Sequence, residues 1–236
     1  MKLLLIDTCG TTGSVALADT ASITAASLPG RTASERLVPA IRDLAARAGL
    51  SLKSLEAVAV VHGPGSFTGV RVGLSAAKGL CHALNLPLVA ISRLAVLAHL
   101  AQPPAAALVH ALLDAGRGEF YSGVYLDEVC LRESLLSRDQ LLAALSQHPA
   151  DLIVVCEPAV AGSLAELAPH LLAEPTAEDA LPLALHRIRQ GDFDSPAALD
   201  ANYLRRTDAE IFAKPCPSKS HSGSSAHVAV PETHAP

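Results

Sequence analysis

The 236-residue sequence has no tryptophan, only 4 phenylalanines and 3 tyrosines. Single-strand nucleic-acid binders are built on aromatic stacking platforms, and this chain has too few rings to supply them. Positive charge is short as well: 18 Lys and Arg stand against 23 Asp and Glu, for a formal net charge of −5. Binding along a phosphate backbone needs clustered cations, so any nucleic-acid role runs through a partner. The 5 cysteines include no Cys-x-x-Cys pair, which removes zinc-ribbon and dithiol chemistry. An odd count suits a reducing compartment, and Cys9, Cys81, Cys130 and Cys156 read as small buried apolar residues. The apolar start at residues 1–6 is cut off by Asp7, far short of a signal core or a membrane span. It reads as a buried first strand, and hence a cytoplasmic protein without membrane attachment. No two of the 10 histidines stand at i and i+4, the spacing that puts two ligands on one helix face. His62, His82, His99 and His110 therefore read as structural singletons, and His221, His227 and His234 as residues of a solvated tail.

Half of the residues are apolar, enough for one large domain or two small lobes. The densest local signal is His62-Gly63-Pro64-Gly65-Ser66-Phe67-Thr68-Gly69-Val70-Arg71-Val72-Gly73, a glycine-rich loop leading into a helical pattern. Glycine permits close backbone approach, and Ser66 or Thr68 can cap the helix. A dinucleotide fingerprint fails by one position, a phosphate-binding P-loop lacks its lysine after Gly69, and a serine-hydrolase elbow lacks both flanking glycines.

Strands are predicted over residues 2–7, 14–17 and 22–28, the first two joined by the turn Thr8-Cys9-Gly10-Thr11-Thr12-Gly13. A helix over 34–48 places Leu37, Val38, Ile41, Leu44, Ala45 and Ala48 on one face, with Pro39 near its first turn. A strand over 57–61 precedes the glycine loop, and a helix over 68–84 carries Gly69, Gly73, Ala76, Ala77 and Ala83 along one side. That small-residue side packs either on the chain's own sheet or on another molecule, and the sequence leaves both open. Residues 107–114 and 119–126 flank Ala115-Gly116-Arg117-Gly118 and repeat the opening strand-turn-strand device. Two lobes, 1–104 and 105–214, follow from the repeat. Further on, 141–145 reads as helix, 152–156 as a strand, 161–189 as helices broken by prolines, and 215–236 as a disordered tail. The two turns carry Asp7, Thr8 and Thr11, and Asp114, a set that could hold phosphates and a hydrated metal across a cleft. Each aspartate could equally bond its own turn.

Four strings, Asp7-Thr8, Gly63-Pro64-Gly65-Ser66-Phe67-Thr68-Gly69-Val70-Arg71, Asp114-Ala115-Gly116-Arg117-Gly118-Glu119-Phe120-Tyr121 and Tyr203-Leu204-Arg205, together resemble the bacterial TsaB family, also called YeaZ. The resemblance implies an α/β, actin-like fold of the sugar-kinase and chaperone-ATPase superfamily, with two lobes that each open on β-hairpins. It also implies a non-catalytic dimerisation subunit paired with TsaD and joined by the ATPase TsaE. TsaD transfers threonylcarbamoyl to the adenosine beside the anticodon of tRNAs that read codons beginning with A. Tentative nucleotide-cleft residues are then Asp7, Thr8, Thr11 and Asp114, with ATP or ADP bound there or in the complex. The family's motif loop falls on Gly63, Pro64, Gly65, Ser66, Phe67 and Thr68. The partner contact falls on the first-lobe helices, with Leu37, Ile41, Leu44, Gly69, Arg71, Gly73, Ala76 and Ala77 as its candidates, and the free chain could self-pair through the same face. The resemblance further implies that the family's usual histidine before the first helix is replaced, at Ala33, which counts against catalysis. The alternatives from other classes are a small ATP-dependent kinase or ATPase using Asp7 and Asp114, and a metallopeptidase.

Overall fold

The computed structural model describes residues 1–29, 32–146 and 151–205. The stretch 215–236, read above as a tail, lies outside the described residues. The first strand, β1 (Leu3–Asp7), and the fourth, β4 (Ala57–Val61), are buried at every position. Strands so apolar belong at the centre of a sheet covered on both faces, and the two pair in parallel there. β1 also pairs antiparallel with β2 (Gly13–Ala18), which pairs with β3 (Ile23–Leu28), while β4 pairs with β5 (Leu88–Ile91). The resulting order is β3-β2-β1-β4-β5.

The second sheet repeats this plan. Its strands are β6 (Leu108–Gly116), β7 (Glu119–Leu126), β8 (Val129–Ser137), β9 (Leu152–Val155) and β10 (His170–Leu171). Their order, β10-β9-β6-β7-β8, is again an antiparallel meander followed by parallel strands. The fold is therefore α/β and actin-like, with two mixed sheets packed by helices, and the repeat inferred from the two hairpin turns extends to whole sheets.

Helices α1 (Ala33–Arg47) and α2 (Phe67–Leu84) lie side by side on the first sheet, α1 on β2 and β3, α2 on β1, β4 and β5. Pro39 lies within α1 and not at its first turn. It is exposed, where water can satisfy the freed carbonyl. Val38 is 59% exposed and does not join the buried row of Leu37, Ile41, Leu44 and Ala45. α3 (Arg93–Leu100) packs on β6, β7 and β9. α4 (Arg138–Leu145) and α5 (Pro158–Ser163) complete the second layer, while α6 (Leu181–Arg189) returns to β5. No helix of the described residues is long and apolar enough to cross a membrane.

Candidate functional site

Alternation along β1 decides how the first turn is used. Successive side chains of a strand point to opposite faces, so Ile6 and Thr8 face one way and Asp7 the other. On the Ile6 side lies α2. Ser66 caps that helix, its Oγ accepting from the Gly69 N–H at 3.2 Å. The Thr8 Oγ1 donates to the Gly69 carbonyl at 2.6 Å, and the Ser66 N–H donates to the Cys9 carbonyl at 2.8 Å. The glycines are what permit this approach. A Cβ on Gly69 would lie 1.9 Å from the Thr8 carbonyl oxygen, one on Gly73 2.3 Å from the Thr8 Oγ1, and one on Gly65 2.4 Å from the Cys9 carbonyl oxygen.

The small-residue side of α2 thus packs on the chain's own β1 and its turn. Gly69, Gly73 and Ala77 are buried, as are Leu37, Ile41 and Leu44 of α1, so these six of the eight candidate contact residues face the core and not a partner. The physical reason is that apolar and small residues at helical spacing mark a buried face without saying what buries it. Arg71 is exposed and Ala76 half-buried. The Arg71 guanidinium lies 3.5 Å above the Phe67 ring centre and 5.6 Å from that of Tyr203, and its Nε donates to the Tyr203 hydroxyl at 2.7 Å.

On the other face of β1, Asp7 is 2% exposed, and its Oδ1 accepts the Cys9 N–H at 2.8 Å. Burial raises its pKa, opposed by the nearby Arg93 guanidinium and the Cys9 N–H. Burial likewise pushes the Cys9 thiol well up. Arg93, 4% exposed, pairs through Nη2 with the Glu174 Oε1 at 2.8 Å. That same oxygen accepts the Thr11 N–H at 2.8 Å, and the Glu174 Oε2 accepts the Thr11 hydroxyl at 2.7 Å.

A cleft of about 580 Å³ opens beside the turn, lined from one sheet by Thr8, Thr11 and the motif loop and from the other by Asp114 and Glu157. The structure brings Thr8, Thr11 and Asp114 to this wall together with Gly65, Ser66, Phe67, Thr68 and Gly69. Asp7 is not among the lining residues, and Gly63 and Pro64 are buried behind the loop. The Gly63 carbonyl accepts the Arg93 N–H at 2.8 Å. Asp114 bonds its own turn, its Oδ1 accepting the Gly116 N–H at 2.7 Å, and its N–H donates to Glu157, whose pKa burial raises. The charged residues of the lining are Arg93, Asp114 and Glu157, and Glu174 holds both donors of Thr11, so that residue has no free donor for a phosphate oxygen in this arrangement. Among the described residues no three His, Cys, Asp or Glu side chains converge to hold a metal ion.

Sequence reasoning missed Arg93, Glu157 and Glu174. A buried arginine at the start of an unpredicted helix and two acids in irregular segments carry no local signal. His62 is half-buried, its Nδ1 unpartnered, and burial lowers its pKa so that the ring is held neutral.

The family model of TsaD, tRNA N6-adenosine threonylcarbamoyltransferase, matches residues 27–135. TsaB of Escherichia coli K12, named a tRNA threonylcarbamoyladenosine biosynthesis protein, is 38% identical over 53% of this chain and 55% of its own length. The chain therefore spans about half the length of that curated relative. A crystal structure of a protein described by its similarity to peptidase YeaZ from Pseudomonas aeruginosa is 30% identical, with a TM-score of 0.73 over 86% of this chain and 99% of the other. The structure entitled YeaZ from Pseudomonas aeruginosa is 29% identical, with a TM-score of 0.69 over the same shares, 86% and 99%. Sequence identity across nearly the whole of a solved relative, on the same two-sheet plan, places the chain in the TsaB/YeaZ family.

Proposed function

We propose that the chain is a non-catalytic scaffold subunit for N6-threonylcarbamoyladenosine modification of tRNA next to the anticodon. In this reading it acts in the cytoplasm and pairs with a TsaD-type catalytic subunit, which a TsaE-type ATPase joins. It meets tRNA only through that assembly, and the free chain self-pairs through the same face.

The observation that carries the reading is the outward surface of the α1–α2 layer. Phe67 is 50% exposed, Val38 59% and Tyr203 37%, and Arg71 lies over the Phe67 ring and is held by the Tyr203 hydroxyl. Rigid aromatic and arginine groups are the typical anchors of protein interfaces, because little side-chain freedom is lost when they are covered. The cleft, by contrast, has its turn donors engaged by the chain's own carboxylates. Support for the modification pathway comes from the name carried by the relative from Escherichia coli.

The test is co-elution with a TsaD-type subunit. Arg71→Glu and Val38→Glu change only exposed side chains, so each is expected to weaken pairing at least about tenfold, or about 1.4 kcal/mol. The melting temperature should stay near that of the parent chain. Pairing at parental affinity in both variants would refute the surface assignment. Gly73 is unsuitable for this purpose, because a side chain there would strike Thr8 and break the fold.

A further inference from the structure

We propose that Glu133, on the second sheet, is a positioning residue for the partner surface: through Asn202 it fixes the segment 199–205, and with it the Tyr203 ring that holds Arg71. The inference rests on the α1–α2 surface proposed above and names what orders it. The segment follows α6 and has no regular secondary structure. Its anchors come from both sheets. Lys78 of α2 donates through Nζ to the Leu199 carbonyl at 2.9 Å, and the Asn202 N–H donates to the carbonyl of His62, just past β4, at 2.8 Å. On the other side the Asn202 Nδ2 donates to the Oε2 of Glu133, on β8, at 2.6 Å. Arg205 pairs with Glu119 of β7 at 2.6 Å and donates to the Ala115 carbonyl of β6 at 2.8 Å.

Asn202 is thus pinned by its main chain to one sheet and by its side chain to the other. Tyr203 has no such tie of its own: its N–H donates at 2.8 Å to the Ala201 carbonyl, inside the segment. The place of its ring is therefore inherited from Asn202 before it and Arg205 after it. That ring stands 5.9 Å from the ring of Phe67, and its hydroxyl accepts from the Arg71 Nε at 2.7 Å. Glu133 is built to hold one orientation. The Ser92 and Tyr125 hydroxyls both donate to its Oε1, which leaves Oε2 for Asn202. Tyr125 is itself 2% exposed, so the carboxyl is set from below by a fixed group. An interface whose anchors are ordered beforehand loses less freedom when it is covered. A half-buried residue on the opposite sheet from α1 and α2 thereby contributes to pairing without belonging to the surface.

The experiment exchanges donor and acceptor in the full chain. Asn202→Asp sets a second carboxyl against the Glu133 Oε2, whereas Asn202→Asp with Glu133→Gln restores the bond with its direction reversed and keeps an oxygen for the two hydroxyls. Affinity for a TsaD-type subunit is read by calorimetry, and amide exchange over 199–205 by mass spectrometry. Asn202→Asp is expected to speed exchange in the segment and to weaken pairing at least about tenfold. The double variant should return pairing to within about twofold of the parent chain. In an Arg71→Glu background Asn202→Asp should cause little further loss, because both act on the same anchor; a residue that served stability alone would lower the melting temperature without this pattern. Should Asn202→Asp fail to fold, Asn202→Ala, which leaves Glu133 both hydroxyl donors, takes its place with the same expected loss. Parental affinity in the Asn202 variant, faster exchange without weaker pairing, or a double variant no better than Asn202→Asp would overturn the proposal. Unchanged pairing in Arg71→Glu alone would refute the surface assignment and this proposal with it, a result separate from whether Glu133 holds the segment, which exchange reports in the free chain.

Discussion

Replacing Gly69 by alanine tests whether α2 is pressed onto the first turn as tightly as the structure requires. The new Cβ would start 1.9 Å from the Thr8 carbonyl oxygen, against a floor of 3.0 Å for real contacts, so helix and turn must separate by at least 1.1 Å. Both are backbone, and no rotamer change relieves the clash. Overpacking of this kind costs about 1–3 kcal/mol. The separation also strains the 2.6 Å bond from the Thr8 Oγ1 to the Gly69 carbonyl, adding about 1 kcal/mol. Alanine returns about 1 kcal/mol through helix propensity. The net loss is about 1–3 kcal/mol, which in a domain of this size lowers the melting temperature by roughly 2–12 °C. Gly79 lies on the same helix and is exposed, with nothing within 4 Å of its would-be Cβ. There the same substitution should stabilise by about 1 kcal/mol, raising the melting temperature by about 2–4 °C. Thermal melts followed by circular dichroism decide the matter. Two shifts of the same sign, or an unchanged Gly69→Ala, would refute the packing argument.

Two other outcomes follow from burial. The Asp7 pKa is raised above its ordinary 3.8, so the folded state holds this proton more strongly than the unfolded state, and ionisation costs stability as pH rises through the folded value. Asp7→Asn, which can still accept the Cys9 N–H, should therefore gain stability over the parent chain at neutral pH, and the gain should vanish as pH falls below about 4. A gap independent of pH in chemical denaturation would contradict the assignment. Cys130 is exposed, whereas Cys9, Cys81 and Cys156 are buried, and burial pushes the Cys81 and Cys156 thiols up to about 11. A thiol reagent followed by mass spectrometry should label Cys130 in the native chain and those three only on unfolding.

Much of the fold was legible because its strands are short, apolar and punctuated by turn residues. β1, β4, β6 and β7 were each anticipated within about two residues, and the paired turns announced the repeat. β5, β8 and α3 were missed. β8 is exposed or half-buried throughout and lacks clean alternation, while β5 and α3 abut with only Ser92 between them, which hides the change of period. Cys130 was misread as buried for the same reason as Val38: an apolar side chain on a surface strand or helix looks like core until the layer above it is known. The candidate site was legible in part. Thr8, Thr11, Asp114 and the motif loop meet at one cleft, but Asp7, adjacent to Thr8 in sequence, turns to the opposite face. Arg93, whose charge opposes the rise in the Asp7 pKa, stands 86 positions from it, and Glu174, which holds Thr11, stands 163 positions from that residue, and no local pattern records such long-range placements.

The central claim is that the chain supplies a surface and not a reaction. Its most direct test is reconstitution of N6-threonylcarbamoyladenosine on tRNA with a TsaD-type subunit, a TsaE-type ATPase and threonylcarbamoyl-adenylate, with this chain present, absent or alone. The account predicts modification only when the chain and the TsaD-type subunit are both present, none from the chain alone, and a marked loss with Arg71→Glu. Transfer by the chain alone, or full transfer in its absence, would contradict it.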